Sequence, residues 1–135
     1  MSIWGFSFSV LSGSRSSDFS DHGTVENPLP PCPNSPNCIR ITKQFKTPID
    51  TLFNASVQAI KKMGPEKITI AKKDYKIKTV FRVVVFRDDM ILKLSKRNSS
   101  LSYIHMRSAS RVGETDLGVN RRRVQRFLKN LTDHL

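Results

Sequence analysis

The stretch from Arg107 to Arg123, RSASRVGETDLGVNRRR, puts guanidiniums, small hydroxyls, two glycines, a carboxylate and a carboxamide into one turn between a strand-like and a helix-like segment. Such a set can hold an anion. Arg107 and Arg111 would clamp the charge and Ser108 and Ser110 would donate from their hydroxyls. Asp116 and Asn120 would orient the arginines, while the glycine turn and the start of the following helix offer free backbone N–H groups. Arg121, Arg122 and Arg123 fall in the first turn of that helix, where cations oppose the dipole, so a protein carboxylate or a bound anion should offset them. The same residues also permit a purely structural reading. Asp116 would then pair with Arg111 or Arg107, Asn120 would cap the helix, and Gly113 and Gly118 would supply unusual backbone angles. Both readings stay open at this level.

Catalysis is not called for. The motif has serines but no histidine in a position to activate them. His105 falls on a strand whose face it shares with Tyr103 and Arg107, where a satisfied or exposed histidine is expected rather than a general base. We expect no catalytic residue, no cofactor and no metal site. Cys32 and Cys38 are the two cysteines of the chain, and His22, His105 and His134 stand at no zinc spacing from them. The loop CPNSPNC that they bracket is stiffened by two prolines and can close on itself, so a structural loop with or without a disulfide is expected ahead of a metal half-site or a reactive thiol.

The whole chain sets the frame. Its 135 residues, 38% of them hydrophobic, suffice for one domain with one core. A formal net charge of +12 favours anionic partners. An anionic small ligand is the first of these and nucleic acid the second. For nucleic acid, Lys67, Lys76, Lys78, Arg82, Lys93 and Tyr103 could form a basic, partly aromatic sheet face, but no RRM, KH or zinc-finger signature accompanies it. No run approaches the roughly 20 apolar residues of a membrane span. The chain reads as soluble, cytoplasmic by default, with a plastid or periplasmic location left open.

Residues 1–31 read as a Ser- and Pro-rich tail, with Trp4, Phe6, Phe8 and Val10 alternating as in a strand, and residues 32–135 as a single α+β domain. Ile39 to Phe45 can form a first strand. A helix follows, with Thr47 as its cap, Pro48 in its first position and Ile49, Leu52, Phe53, Val57 and Ile60 as its apolar stripe, ended by Gly64-Pro65. From Glu66 to Arg107 the period falls to two, giving four antiparallel strands with turns at Lys73-Asp74, Arg87-Asp88 and Lys96 to Ser100. A last helix from about Asn120 carries Val124, Phe127, Leu128 and Leu131 on one side. The order strand, helix, four antiparallel strands, helix gives a two-layer fold with both helices on one face of the sheet. It resembles the TATA-binding-protein-like and helix-grip folds, in which a curved sheet grips the last helix.

Two motifs carry a family resemblance: CPNSPNC at Cys32–Cys38 and RSASRVGxxDLGVNRxR at Arg107–Arg123. They look like the two signatures of the domain-of-unknown-function family 1499 (DUF1499), and the acidic pair in Phe86-Arg-Asp-Asp89 is similar to one that lies between them. The resemblance runs from Cys32 to about Leu131. It implies a small domain of bacterial or plastid type and brings no activity with it. Lys73 stands where a turn glycine would be common.

Overall fold

The computed structural model describes residues 25–33, 37–112 and 118–135. The strand read at Trp4 to Val10, together with Gly113 and Asp116, lies outside these described residues. Strand β1 (Cys38–Phe45) leads to helix α1 (Ile49–Lys62), then β2 (Lys67–Ala71), a 3₁₀ turn at Lys72–Asp74, β3 (Lys76–Val83), β4 (Phe86–Lys96), β5 (Ser102–Ser110) and helix α2 (Val119–Thr132). The strands form one antiparallel sheet in the order β1-β5-β4-β3-β2, so the first strand closes against the last. The α+β class and the element order are those read from the sequence.

Alternation divides every strand between two faces. The inner face carries Ile39 and Ile41 of β1, Ile77 and Phe81 of β3, Met90, Leu92 and Leu94 of β4, and Ile104 and Met106 of β5, all buried in one cluster with the helices. Helix α1 presents Leu52, Phe53 and Ile60 to this layer and α2 presents Val124, Phe127 and Leu131. Those residues recur at three- and four-residue steps, so one stripe of each helix is withdrawn from water while Lys61, Lys62 and Lys129 stay exposed. Burying one such Leu, Ile or Phe contributes about 1.5–3 kcal/mol, and this repeated term holds helices to sheet.

Several local details differ from the sequence reading. Neither helix uses a side-chain cap: α1 begins after Pro48, α2 begins after Gly118, and Asn120 is occupied elsewhere. Arg87 and Asp88 are not a turn but belong to β4. The reversal is the two-residue loop Val84-Val85, since Val83 is paired with Phe86. Val84 takes φ +59°, a conformation that a β-branched residue rarely adopts, which is why no turn signal is visible there. The left-handed position after the 3₁₀ turn falls on Tyr75 (φ +49°), not on Lys73. Tyr75 is fixed by an edge-on contact with Phe53 at 5.6 Å and a hydrogen bond to Asp50 Oδ1.

The sheet also holds part of what reads as tail. Leu29 is buried, Asn27 donates to the Ile41 carbonyl, and Arg40 donates to the Leu29 carbonyl at 2.7 Å. Ordered packing therefore starts before Cys32. Cys32 and Cys38 are joined in a disulfide, which staples this segment to the first residue of β1.

Candidate functional site

The motif from Arg107 to Arg123 does not fold into one cluster, because its first half lies on a strand and period two splits it. Ser108 and Ser110 point inward. Arg107 and Ala109 point outward, and the backbone bond from Arg111 to the Arg87 carbonyl carries the same alternation one residue past β5. The serines and the two clamp arginines are thus on opposite sides of the sheet.

On the inner side, Ser108, Ser110, Asn120 and Arg123 come together. The Ser108 hydroxyl donates to Asn120 Oδ1 at 2.5 Å, and Arg123 Nη1 donates to the same oxygen at 2.7 Å. Asn120 Nδ2 reaches the Ser110 hydroxyl at 3.0 Å and the Asn37 carbonyl at 3.1 Å. Asn120 therefore ties α2 to β5 and to the residue preceding β1, in place of the capping role its position suggested. Arg123 is only 7% exposed and its charge is met by Asp88 of β4, Nη2 to Oδ2 at 2.8 Å. Its guanidinium also lies over the Phe81 ring, 4.9 Å from the centroid. This is a buried ionic and amide knot with its donors and acceptors matched to one another, and the carboxylate expected to offset the α2 arginines is Asp88, at least for Arg123.

The other arginines of α2 behave differently. A Cβ placed on Gly118 would stand 3.0 Å from Arg122 Nη1 and 3.3 Å from Arg121 Nη2, so both side chains fold back over the start of the helix. Gly118 itself has φ +80°, which explains a glycine at this position.

On the outer side, Arg111 makes a two-pronged pair with Asp89, at 2.9 and 3.0 Å, which raises its pKa. The partner expected for it was Asp116, and Asp116 lies outside the described residues. Arg107 stands directly across from Arg40 on β1. Like charges in that relation repel, and burial followed by the Arg40 charge pulls the Arg107 pKa below its ordinary value. Two carbonyls relieve the pair: Arg107 donates to Pro30 at 2.9 Å and Arg40 to Leu29. These arginines hold the N-terminal segment against the sheet.

His105 is also on the outer face and is 2% exposed. Thr42 Oγ1 lies 2.9 Å from its Nδ1 and Ser95 Oγ 3.0 Å from its Nε2. One hydroxyl donates and the other accepts whichever nitrogen carries the proton. Burial and then the neighbouring Lys93 charge push its pKa down to about 4, so the ring is neutral at ordinary pH. It is a satisfied histidine bridging β1 and β4, as the sequence suggested. Tyr103 is buried as well, so the basic face offers no exposed tyrosine on which a base could stack.

An open cleft lies beside the inner knot, at the end of the molecule where α1 stops and α2 starts. Its volume is about 410 Å³, and it is bounded by Met63, Gly64 and Glu66, by Phe81, Arg82 and Val83 of β3, and by Val119, Arg123 and Arg126 of α2. Its lining holds four apolar residues and three arginines against one carboxylate, Glu66, which is itself paired with Arg87 at 2.6 Å. Of these residues, Arg123 belongs to the anion set read from the sequence and Arg82 to the basic sheet face read for nucleic acid. Arg82 and Arg126 lie far apart in the chain, and the single sequence sign that α2 faces an acid was the Asp88-Asp89 pair, which looked like turn chemistry.

Comparison with known proteins gives the family. Among solved structures, the chain is similar to the di-domain ARO/CYC protein BexL, at 8% identity and TM-score 0.48, over 73% of this chain and 43% of that one. It spans less than half the length of that protein. A conserved protein from Geobacillus kaustophilus matches at 12% identity and TM-score 0.35, over 68% of this chain and 90% of the other. No curated protein matches significantly. The family described as protein of unknown function (DUF1499) matches residues 28–131, which takes in both motifs, the acidic pair and the arginine-held segment before Cys32. By that match the chain is a member of the DUF1499 family.

Proposed function

We propose that the protein is a non-catalytic binding module for a small amphiphilic anion, taken up in the cleft between β3 and the start of α2. The observation that carries this reading is the lining of that cleft, which joins Arg82, Arg123 and Arg126 to the apolar residues Met63, Phe81, Val83 and Val119. A carboxylate or phosphate would meet the arginines and its hydrocarbon would lie against the apolar residues. The buried knot supports this role by fixing Arg123. Asp88, Ser108 and Asn120 hold its guanidinium in place, so little side-chain entropy would be lost on binding. The motif thus has a structural role that also presents one arginine to the cleft.

Thermal unfolding with octanoate, octyl phosphate and octanol tests the reading. The two anions should raise Tm and octanol should not. A ligand at 100 times its Kd stabilises by about 2.7 kcal/mol. Arg126 is exposed on α2, so Arg126→Ala should leave the unliganded Tm within a degree or two of the parent and remove most of the anion effect. Equal stabilisation by octanol, or an undiminished anion effect in the variant, would refute it.

A further inference from the structure

The loop between β3 and β4 is unusual in a second respect. Val84 is 77% exposed, Val85 68% and Phe86 52%, so three consecutive large apolar residues stand in water at a hairpin tip. Val112 joins them at 57% exposure. In the β4–β5 register, Asp88 is paired with Ser110, and the bond from Arg111 N to the Arg87 carbonyl continues that pairing, which brings Val112 alongside Phe86. The hairpin gains nothing from valine here, since Val84 must hold φ +59°, where glycine would sit without strain.

Cations collar the tip. Arg82 donates its Nε to the Val84 carbonyl at 2.7 Å, Arg87 leads out of the tip into β4, and Arg111 stands beside it. Arg87 is paired with Glu66 and Arg111 with Asp89, and the chain as a whole carries +12. We propose that this tip is a docking site for an anionic lipid bilayer, with Val84, Val85 and Phe86 entering the interfacial layer and the positive surface behind them meeting the lipid headgroups. The shape and the charge select this occupant. A narrow, protruding two-residue turn offers little area for a protein interface, whereas an apolar tip backed by positive charge matches both layers of an anionic membrane surface. The tip shares Arg82 with the neighbouring cleft, but Val84, Val85 and Phe86 stand outside the cleft lining.

Co-sedimentation with vesicles of phosphatidylcholine, with and without phosphatidylserine, provides the test. The variant Val84→Gly/Val85→Ser removes the two most exposed apolar residues of the tip and supplies a residue suited to the positive φ, so its fold should be at least as stable as the parent's. The parent should bind the serine-containing vesicles, bind pure phosphatidylcholine far less, and weaken as salt rises. The variant should bind the anionic vesicles about tenfold more weakly, because of the three inserting residues only Phe86 is left beside the charge. Failure of the parent to bind anionic vesicles overturns the proposal, and so does equal binding by the variant. Sedimentation velocity without lipid covers the other occupant: a parent that dimerises while the variant stays monomeric would assign the tip to a second copy of this chain.

Discussion

Lowering the pH from about 7 to about 4.5 should cost the fold about 2 kcal/mol through His105 alone. The histidine titrates near 6.5 in an unfolded chain and at about 4 in the folded one, where its ring lies between Thr42 and Ser95 on a dry stretch of sheet. Between those values the unfolded state binds a proton that the folded state refuses, so stability is full above about 6.5 and falls as pH drops toward 4. The full difference corresponds to about 3 kcal/mol, and most of it has been lost by pH 4.5. Asp50, whose carboxyl is held below 3.8 by Lys72 and then Tyr75, gives up its contribution only at lower pH. Urea denaturation at steps across this range should show the midpoint falling by about 1 M in the parent, given a typical slope. In His105→Gln, which can still bond to both hydroxyls, the midpoint should fall far less. A variant as acid-sensitive as the parent, or an NMR titration placing the His105 pKa near 6.5, would refute the assignment.

Two further outcomes follow from the buried knot. Asp88→Asn leaves the Arg123 charge buried without a counterion and should cost about 3–5 kcal/mol, seen as a drop in Tm of roughly 10–20 °C. Asp88→Leu combined with Arg123→Met should recover much of that loss by calorimetry, because the pair is removed together. Gly118→Ala should destabilise by about 1 kcal/mol or more in chemical denaturation, since alanine is strained at φ +80° and its methyl would press on Arg122.

The elements were legible in the sequence because burial here follows regular periods. Ile49, Leu52, Phe53, Val57 and Ile60 mark one side of α1, and Ile77, Thr79 and Phe81 one side of β3, and each set is buried as its spacing implies. Local chemistry was less legible where one residue type serves two purposes. Asn120 has the composition and position of a helix cap, yet three long-range partners outcompete that local role. The Val84-Val85 reversal carries no turn residue, so the neighbouring Arg87-Asp88 took its place in the reading. The separation of Ser108 and Ser110 from Arg107 and Arg111 was implicit in the strand's alternation, but where β5 ends could not be seen. The cleft arginines Arg82 and Arg126 come from different elements, and only the sheet order brings them near each other.

The division of one contiguous motif between two faces also says how this segment can and cannot change through its history. Point substitutions at Arg107 or Arg111 touch the surface clasp and leave the knot intact. Loss or gain of a single residue between His105 and Ser108 is another matter, because it exchanges the two sides at once. Ser108 and Ser110 would then be turned to solvent and Arg107 driven toward Met90 and Asn120. Length in β5 should therefore be far less tolerant of change than composition.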